Sequence, residues 1–158
     1  LKFKKSIKLG SVRRDLKLTV RKPNQEMKDW FRGVMAKPED AEKFHRYERT
    51  YAGRVKNLEE GPDEISVPLQ VLRIGNLAIA AIPFETFAEI GLKIKDKSPF
   101  ADTFTIELAN DSRGYLPTPR QHKLGGYETW MGTNRVQIDA SERITTAILE
   151  MMQELHAE

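Results

Sequence analysis

The segment 77–108, LAIAAIPFETFAEIGLKIKDKSPFADTFTIEL, carries the clearest fold signal in this chain. Residues 77–82 are apolar at every position, which is typical of a strand covered on both faces. Residues 86–95 repeat apolar side chains at helical spacing, and Ser98-Pro99 would end that helix. Residues 103–108 alternate between apolar and polar positions, which predicts a second strand. The order strand, helix, strand therefore predicts a βαβ unit with two parallel strands.

Two more strands are predicted before this unit. Residues 14–20 alternate, and residues 65–71 alternate strictly between apolar and polar side chains. Gly75-Asn76 then separates residues 65–71 from the apolar run. A glycine in the first position of a two-residue loop is typical of a type II′ hairpin turn.

Helices are predicted between the first two strands and at the end of the chain. Pro23-Asn24 begins one helix and Pro38 begins another, which Gly61-Pro62 ends. A final helix begins near Asp139 or Ser141. The apolar stripes of the three helices are Met27, Trp30, Phe31 and Val34; then Phe44, Tyr47, Tyr51, Val55 and Leu58; then Ile144, Ala147, Ile148, Met151, Met152 and Leu155.

The predicted fold class is α/β, a mixed sheet with flanking helices that contains a βαβ unit and forms part of a domain. Residues 21–62 would be a peripheral helical excursion, and residues 63–158 the site-bearing part. The chain begins with Leu1 and not with Met, which predicts that an N-terminal portion has been removed.

Composition excludes several classes of function. Hydrophobic residues make up 39% and charged residues 31% of the chain, as in ordinary globular proteins. The chain has no window near the roughly 20 apolar residues of a membrane span and no recognisable signal peptide. The absence of cysteine excludes disulfides, thiolate zinc sites and a cysteine nucleophile. The basic cluster Lys2, Lys4, Lys5, Lys8, Arg13 and Arg14 lacks interleaved aromatic residues, so we expect a solvated surface and no nucleic-acid partner.

Polar residues follow both strands of the predicted βαβ unit. Glu85 comes directly after the apolar run, and residues 107–128, ELANDSRGYLPTPRQHKLGGYE, follow the second strand. Ligands gather at the carboxyl ends of parallel strands, so we expect both places to lie at one sheet edge. Because Glu85 lies among apolar residues, its carboxylate needs an ionic or hydrogen-bonding partner or a metal ion. Alternatively, Glu85 lies at the N-terminus of the following helix and is stabilised by the helix dipole. Tyr115 and Tyr127 either pack or belong to a site.

The three histidines do not have the spacing of a metal site. We expect His45 and His156 to lie on the surface. His122 lies inside the 107–128 segment, where it is either an ordinary loop residue or a residue that supports a site without binding a metal ion. Taken alone, the residues predict a candidate site without a complete catalytic set.

Three motifs taken together resemble the C-terminal half of the catalytic domain of neutral/alkaline (non-lysosomal) ceramidases. The family has Pro-Gly-Glu at a strand end, Asn-x-Tyr-x-x-Tyr after the next strand, and Tyr-Glu twelve residues later. This chain has Pro83-Phe84-Glu85, then residues 110–115 (NDSRGY), then Tyr127-Glu128, with twelve positions between the two tyrosines. The resemblance covers roughly residues 65–155, and residues 1–60 match only loosely.

The resemblance implies a zinc-dependent amidase that cleaves the N-acyl bond of ceramide or a related lipid amide. It implies that Glu85 and Tyr115 are zinc ligands. Tyr127 would be catalytic, contacting the reacting amide and stabilising the oxyanion, and Asn110 would also bind substrate. Relatives are often secreted or periplasmic, so the resemblance implies that localisation.

The chain departs from the family pattern in three ways. Phe84 replaces the family glycine, and Ser112 replaces the first tyrosine of the Asn-x-Tyr-x-x-Tyr motif. The two zinc histidines and the active-site serine of the family would lie upstream, in the remaining N-terminal part of the same protein. We therefore expect the isolated chain to be inactive and to bind zinc weakly. Two alternatives remain open, a non-catalytic binding or structural domain on the same scaffold, and a related metallo-esterase.

Overall fold

The computed structural model describes residues 6–157, which form a mixed α/β fold with two small sheets and flanking helices. The elements in chain order are β1 (Leu9–Thr19), α1 (Gln25–Ala36), α2 (Glu48–Glu60), β2 (Glu64–Ile74), β3 (Leu77–Ala81), β4 (Glu85–Thr86), α3 (Ala88–Lys97), β5 (Asp102–Ile106), β6 (Tyr115–Leu116), α4 (Pro119–Leu124), a 3-10 helix (Tyr127–Thr129) and α5 (Ala140–Ala157).

The main sheet has the strand order β1-β2-β3-β5. Strand β2 is antiparallel to both β1 and β3, whereas β3 and β5 are parallel, which confirms the predicted βαβ unit with α3 as its crossover helix. The hairpin between β2 and β3 also forms as predicted. Gly75 has φ of 62° and Asn76 has a negative φ, which is the pattern of a type II′ turn.

One face of the main sheet forms the core. Helices α3 and α5 pack against this face and against each other. The alternating residues Val67, Leu69 and Val71 point into this core and are fully buried. They meet the apolar side of α5, which is buried at Ile144 and Ile148. The predicted stripe of the last helix is therefore confirmed.

The opposite face of the main sheet is not covered by the described part of the chain. Its large apolar residues are half-buried or exposed: Leu9, Leu72, Ile74, Leu77, Ile79, Phe104 and Ile106. The prediction that residues 77–82 are covered on both faces is therefore wrong at Leu77 and Ile79. The reason is that α3 and α5 lie on the same side of the sheet.

Helices α1 and α2 pack mainly on each other and form a small second core around Phe31, Val34, Ala52 and Val55. Helix α1 begins as predicted, with the Asn24 side chain accepting a hydrogen bond from the backbone N–H of Met27 at 2.9 Å.

The predicted start of the second helix at Pro38 is wrong, because α2 begins ten residues later, at Glu48. The Glu48 side chain is buried and accepts hydrogen bonds from the backbone N–H of Phe44 at 3.1 Å and from Lys37 Nζ at 3.4 Å. These bonds hold residues 37–47 in a loop. Phe44 consequently lies outside the helix and is 98% exposed.

Two further expectations concern the surface. Within residues 6–157, none of the helices combines the length and hydropathy required to cross a bilayer. In the basic cluster, Lys2, Lys4 and Lys5 lie outside the described residues. Arg14 forms an ion pair with Glu150 at 2.6 Å, so this part of the cluster is neutralised by α5.

Candidate functional site

The carboxyl ends of β3 and β5 meet at the edge of the main sheet, as the βαβ unit predicts. The chain leaving β3 forms β4, the chain leaving β5 returns as β6, and the two short strands run parallel with Glu85 opposite Tyr115. The backbone N–H of Glu85 donates to the carbonyl of Gly114 at 3.0 Å. Two residues that are 30 positions apart in the sequence are therefore fixed side by side.

The Glu85 carboxylate affects the ionisation of the Tyr115 phenol. A hydrogen bond to the Glu85 carboxylate, and next the negative charge of that carboxylate, raise the pKa of the Tyr115 phenol above its ordinary value of 10.0. Both effects favour the neutral phenol. A cation held between the two oxygens would act in the opposite direction, because it would stabilise an anionic tyrosine. The pair thus offers two side-chain oxygens, and a carboxylate oxygen such as that of Glu85 is one of the donors that zinc accepts.

The pair does not form a complete metal site by itself. Among the described residues, no three His, Cys, Asp or Glu side chains lie close enough together to hold a metal ion. His45 and His156 are exposed, as expected. His122 is half-buried in α4, where burial and then the charge of Arg21 lower its pKa. Further zinc ligands would have to come from outside these residues.

Tyr127 lies in the 3-10 helix and packs against Tyr115. Its ring is 5.9 Å from the Tyr115 ring in an edge-on arrangement, and 5.6 Å from the Trp130 ring. The centre of the Tyr51 ring, on α2, lies 6.5 Å from that of Tyr127 and 5.4 Å from that of Trp130. The predicted site residues Tyr115 and Tyr127 therefore belong to one aromatic cluster, defined as Tyr51, Tyr115, Tyr127 and Trp130.

Arg54 approaches the Tyr127 hydroxyl. Arg54 Nη1 donates to the Tyr127 hydroxyl at 3.4 Å and to Thr133 Oγ1 at 3.3 Å, and its guanidinium lies 5.5 Å from the centre of the Tyr51 ring. Both Tyr51 and Arg54 come from α2. Sequence reasoning missed their link to the site. The only available signal was that Tyr51 continues an apolar stripe, and that signal does not identify what the stripe contacts.

A buried polar network supports the segment that carries Tyr127. The Asn134 side chain is buried and donates to the carbonyl of Tyr115 at 3.0 Å. Arg21 donates to Asn134 Oδ1 at 3.1 Å and to the carbonyl of Thr129 at 2.8 Å, and burial lowers the pKa of its guanidinium. These bonds tie β6 and residues 129–134 to the end of β1.

The loop between β5 and β6 holds the remaining predicted residue, Asn110. Its backbone is left-handed, with φ of 68°, and its amide donates to Gln70 Oε1 of β2 at 3.2 Å. This amide is therefore engaged with the main sheet. The adjacent Asp111 accepts from the backbone N–H of Ser112 and pairs with Arg113 at 2.6 Å, and these contacts lower its pKa.

An open cleft of about 970 Å³ lies between α1, α2 and residues 129–138. Its walls are largely apolar and include Met27, Trp30, Val55 and Ile138, and Arg21 and Lys22 also line it. Tyr51 and Trp130 belong both to this cleft and to the aromatic cluster. The cleft is therefore continuous with the cluster that contains Tyr115 and Tyr127.

Comparison with solved structures identifies ceramidases as similar in fold. Over 95% of this chain the structure matches neutral ceramidase from Pseudomonas aeruginosa, with a TM-score of 0.60 and 14% sequence identity. Over 61% of the chain it matches a ceramidase complexed with C2, with a TM-score of 0.53 and 19% identity. The chain spans 29% and 15% of the lengths of those two proteins. No family model and no curated protein sequence matches this chain.

Proposed function

We propose that this chain is the C-terminal part of a zinc-dependent amidohydrolase that cleaves the N-acyl amide bond of ceramide or a related lipid amide. The observation that carries the proposal is the pairing of Glu85 with Tyr115 on two parallel strands, with Tyr127 packed against Tyr115. The ceramidase-like fold supports it. The same resemblance supports export of the protein to the periplasm or the medium.

Each site residue has a separate task in this proposal. Glu85 and Tyr115 would hold the zinc ion through their side-chain oxygens. When bound, zinc lowers the pKa of a coordinated water to about 7 and polarises the amide carbonyl. Tyr127 donates its hydroxyl hydrogen to the carbonyl oxygen as negative charge develops there. Arg54, 3.4 Å from that hydroxyl, orients it. By the resemblance, Asn110 would also bind substrate, which requires its amide to leave Gln70.

The apolar cleft supports a lipid as the substrate class. A hydrocarbon chain gains free energy by leaving water for apolar walls, and this cleft begins at the aromatic cluster. We therefore place one chain of the lipid amide in the cleft and the amide beside Tyr127. Replacing Met27 by Trp would narrow the cleft and should raise KM for long-chain amides more than for short-chain amides.

The experiment that tests the proposal uses the polypeptide that carries this chain together with its upstream part. Glu85→Ala and Tyr115→Phe should each reduce both the bound zinc, measured by elemental analysis, and the rate of amide hydrolysis. Glu107→Ala is the matched control, because Glu107 is an exposed carboxylate of the same region. Full zinc content and full activity in both site variants would reject these ligand assignments.

Calorimetry on the 158-residue chain alone gives an independent check. Two ligand residues without the upstream histidines should bind zinc only weakly, and the chain should be inactive. Tight binding of one zinc ion per chain would contradict the idea that the site is completed by upstream residues.

A second candidate function is a non-catalytic binding domain on the same scaffold. It is favoured by the incomplete set of metal-binding side chains within residues 6–157. In that case the polypeptide that includes the upstream part would bind lipid amides without hydrolysing them. Parallel assays with amide and ester substrates would also identify a metallo-esterase, which would turn over only the ester.

A further inference from the structure

The uncovered face of the main sheet contains an apolar strip that continues to the candidate site. We define this strip as Leu72, Leu77, Ile79, Phe104, Ile106 and Leu108. In the strand register Leu72 lies opposite Ile79, and Ile79 lies opposite Phe104, so these side chains form one row across three strands. Phe104, Ile106 and Leu108 are each between 44% and 48% exposed.

Such a strip is unusual for a sheet whose other face is already packed. A sheet in a stable domain buries its apolar face against another layer, and large exposed apolar patches mark interaction surfaces. The polar residues of the same face, such as Arg13, Asp15 and Lys17, lie on β1, away from β5. Most of the apolar residues of this face therefore lie on β3, on β5 and at Leu72 of β2, and Leu9 and Ile74 extend the apolar surface to the end of β1.

The total exposed surface is consistent with a missing layer. The chain exposes 9730 Å². Folded monomers of 18.1 kDa expose about 8,100 Å². The difference is about twice the roughly 800 Å² that each partner buries in a standard protein–protein interface. A layer that covered the apolar strip would remove part of this difference.

We propose that the apolar strip is the contact surface for the upstream part of the same catalytic domain, which covers the strip with an apolar layer. Two observations favour this occupant over a second copy of the chain. The ceramidase matched over 95% of this chain is more than three times as long, so most of that protein lies outside the match. The strip also ends at the site loop, where Asn110 binds Gln70 of the same sheet face.

The inference relies on the proposed function only for the identity of the partner. Burial of the strip does not depend on zinc or on amide hydrolysis. If the strip is protected but the protein has no amidase activity, the contact surface is supported and the proposed activity is rejected. If the enzyme is active but the strip is accessible to solvent, the proposed activity is supported and the contact surface is rejected.

Cysteine labelling tests the contact, because the chain contains no cysteine of its own. Phe104→Cys, and Ile106→Cys as an independent second position, are introduced into the natural polypeptide that carries this chain. Leu92→Cys is the matched control, because Leu92 lies on α3 and is 66% exposed. Maleimide labelling rates are measured in the native protein and in urea.

We expect the cysteines at 104 and 106 to react at least tenfold more slowly than the cysteine at 92 in the native protein, and at similar rates in urea. Equal rates at all three positions in the native protein would overturn the inference. A photo-crosslinking amino acid at position 104 then identifies the occupant. Cross-links to residues upstream of this chain support the inference. Cross-links to a second copy, or protection that requires added lipid vesicles, reject it.

Discussion

At the scale of single residues, the Glu85–Tyr115 pair makes a prediction about pKa values. Glu85→Gln should lower the pKa of the Tyr115 phenol toward its ordinary value of 10.0, because the charge that disfavours the phenolate is removed. The measurement is a pH titration by NMR of the chain with ¹³Cζ-labelled tyrosine. The Tyr115 resonance is assigned by its loss in Tyr115→Phe.

The control for this titration is Glu107→Gln, which makes the same change in a nearby carboxylate that hydrogen-bonds Thr86. It should leave the pKa of Tyr115 where it is in the unaltered chain. If Glu85→Gln also left it unchanged, the carboxylate would not contact the phenol, and the paired-ligand interpretation would lose its basis.

Glu48 makes a prediction about stability. Glu48→Ala should lower the free energy of unfolding by about 1–3 kcal/mol, because the backbone N–H of Phe44 loses its acceptor in a partly buried loop. Urea denaturation followed by circular dichroism measures the change. Glu42→Ala, on the exposed part of the same loop, should change stability by less than about 0.5 kcal/mol. Equal effects of the two substitutions would mean that Glu48 does not hold the loop.

At the scale of elements, the packing of α2 on the Tyr127 segment depends on Gly132. A Cβ atom at this position would lie 2.5 Å from Arg54 Cβ, and the backbone has φ of 88°. Gly132→Ala should therefore displace residues 127–134 from α2, in addition to the cost of about 1–3 kcal/mol for a left-handed alanine.

Gly125→Ala is the matched control for Gly132→Ala. Gly125 also has a positive φ, of 78°, but its Cβ would meet nothing within 4 Å. Both variants should lower the melting temperature, because both alanines would be strained. Only Gly132→Ala should also change the near-ultraviolet circular dichroism of the aromatic cluster. Equal spectra for the two variants would show that α2 and the Tyr127 segment are not in close contact.

The sequence predicted those elements whose apolar residues repeat regularly and face a single core. The alternation at Val67, Leu69 and Val71 and the crossover helix α3 follow directly from burial against α5. The start of α2 was not predictable. Pro38 is a good first residue for a helix, and nothing local indicates that Glu48 binds back to Phe44 and Lys37.

The candidate site also has one part that the sequence predicted and one part that it did not. The closeness of Glu85 and Tyr115 follows from parallel strands, whose carboxyl ends lie at one edge of a sheet. The contributions of Tyr51 and Arg54 depend on how α2 packs against the Tyr127 segment. That contact joins residues 73 positions apart through side-chain packing, and side-chain packing leaves no periodic signal in the sequence.

At the scale of the whole molecule, the two cores should differ in stability. Among residues 6–157, the main core contains twenty buried residues, whereas the core between α1 and α2 contains four. Local opening requires less free energy where fewer apolar contacts are broken. In native-state hydrogen exchange, the amides of α1 and α2 should therefore exchange faster than those of β2 and β3.

Substitutions in the two cores test whether they open separately. Phe31→Ala should lower the protection of α1 and α2 by about 3–5 kcal/mol and leave β2 and β3 nearly unchanged, whereas Ile148→Ala should lower the protection of β2 and β3. Because α2 carries Tyr51 and Arg54, opening of the helix pair would also release the contacts to Tyr127. A uniform loss of protection in Phe31→Ala would show instead that the helix pair and the sheet unfold as one unit. The arrangement around Tyr127 would then be as stable as the main core.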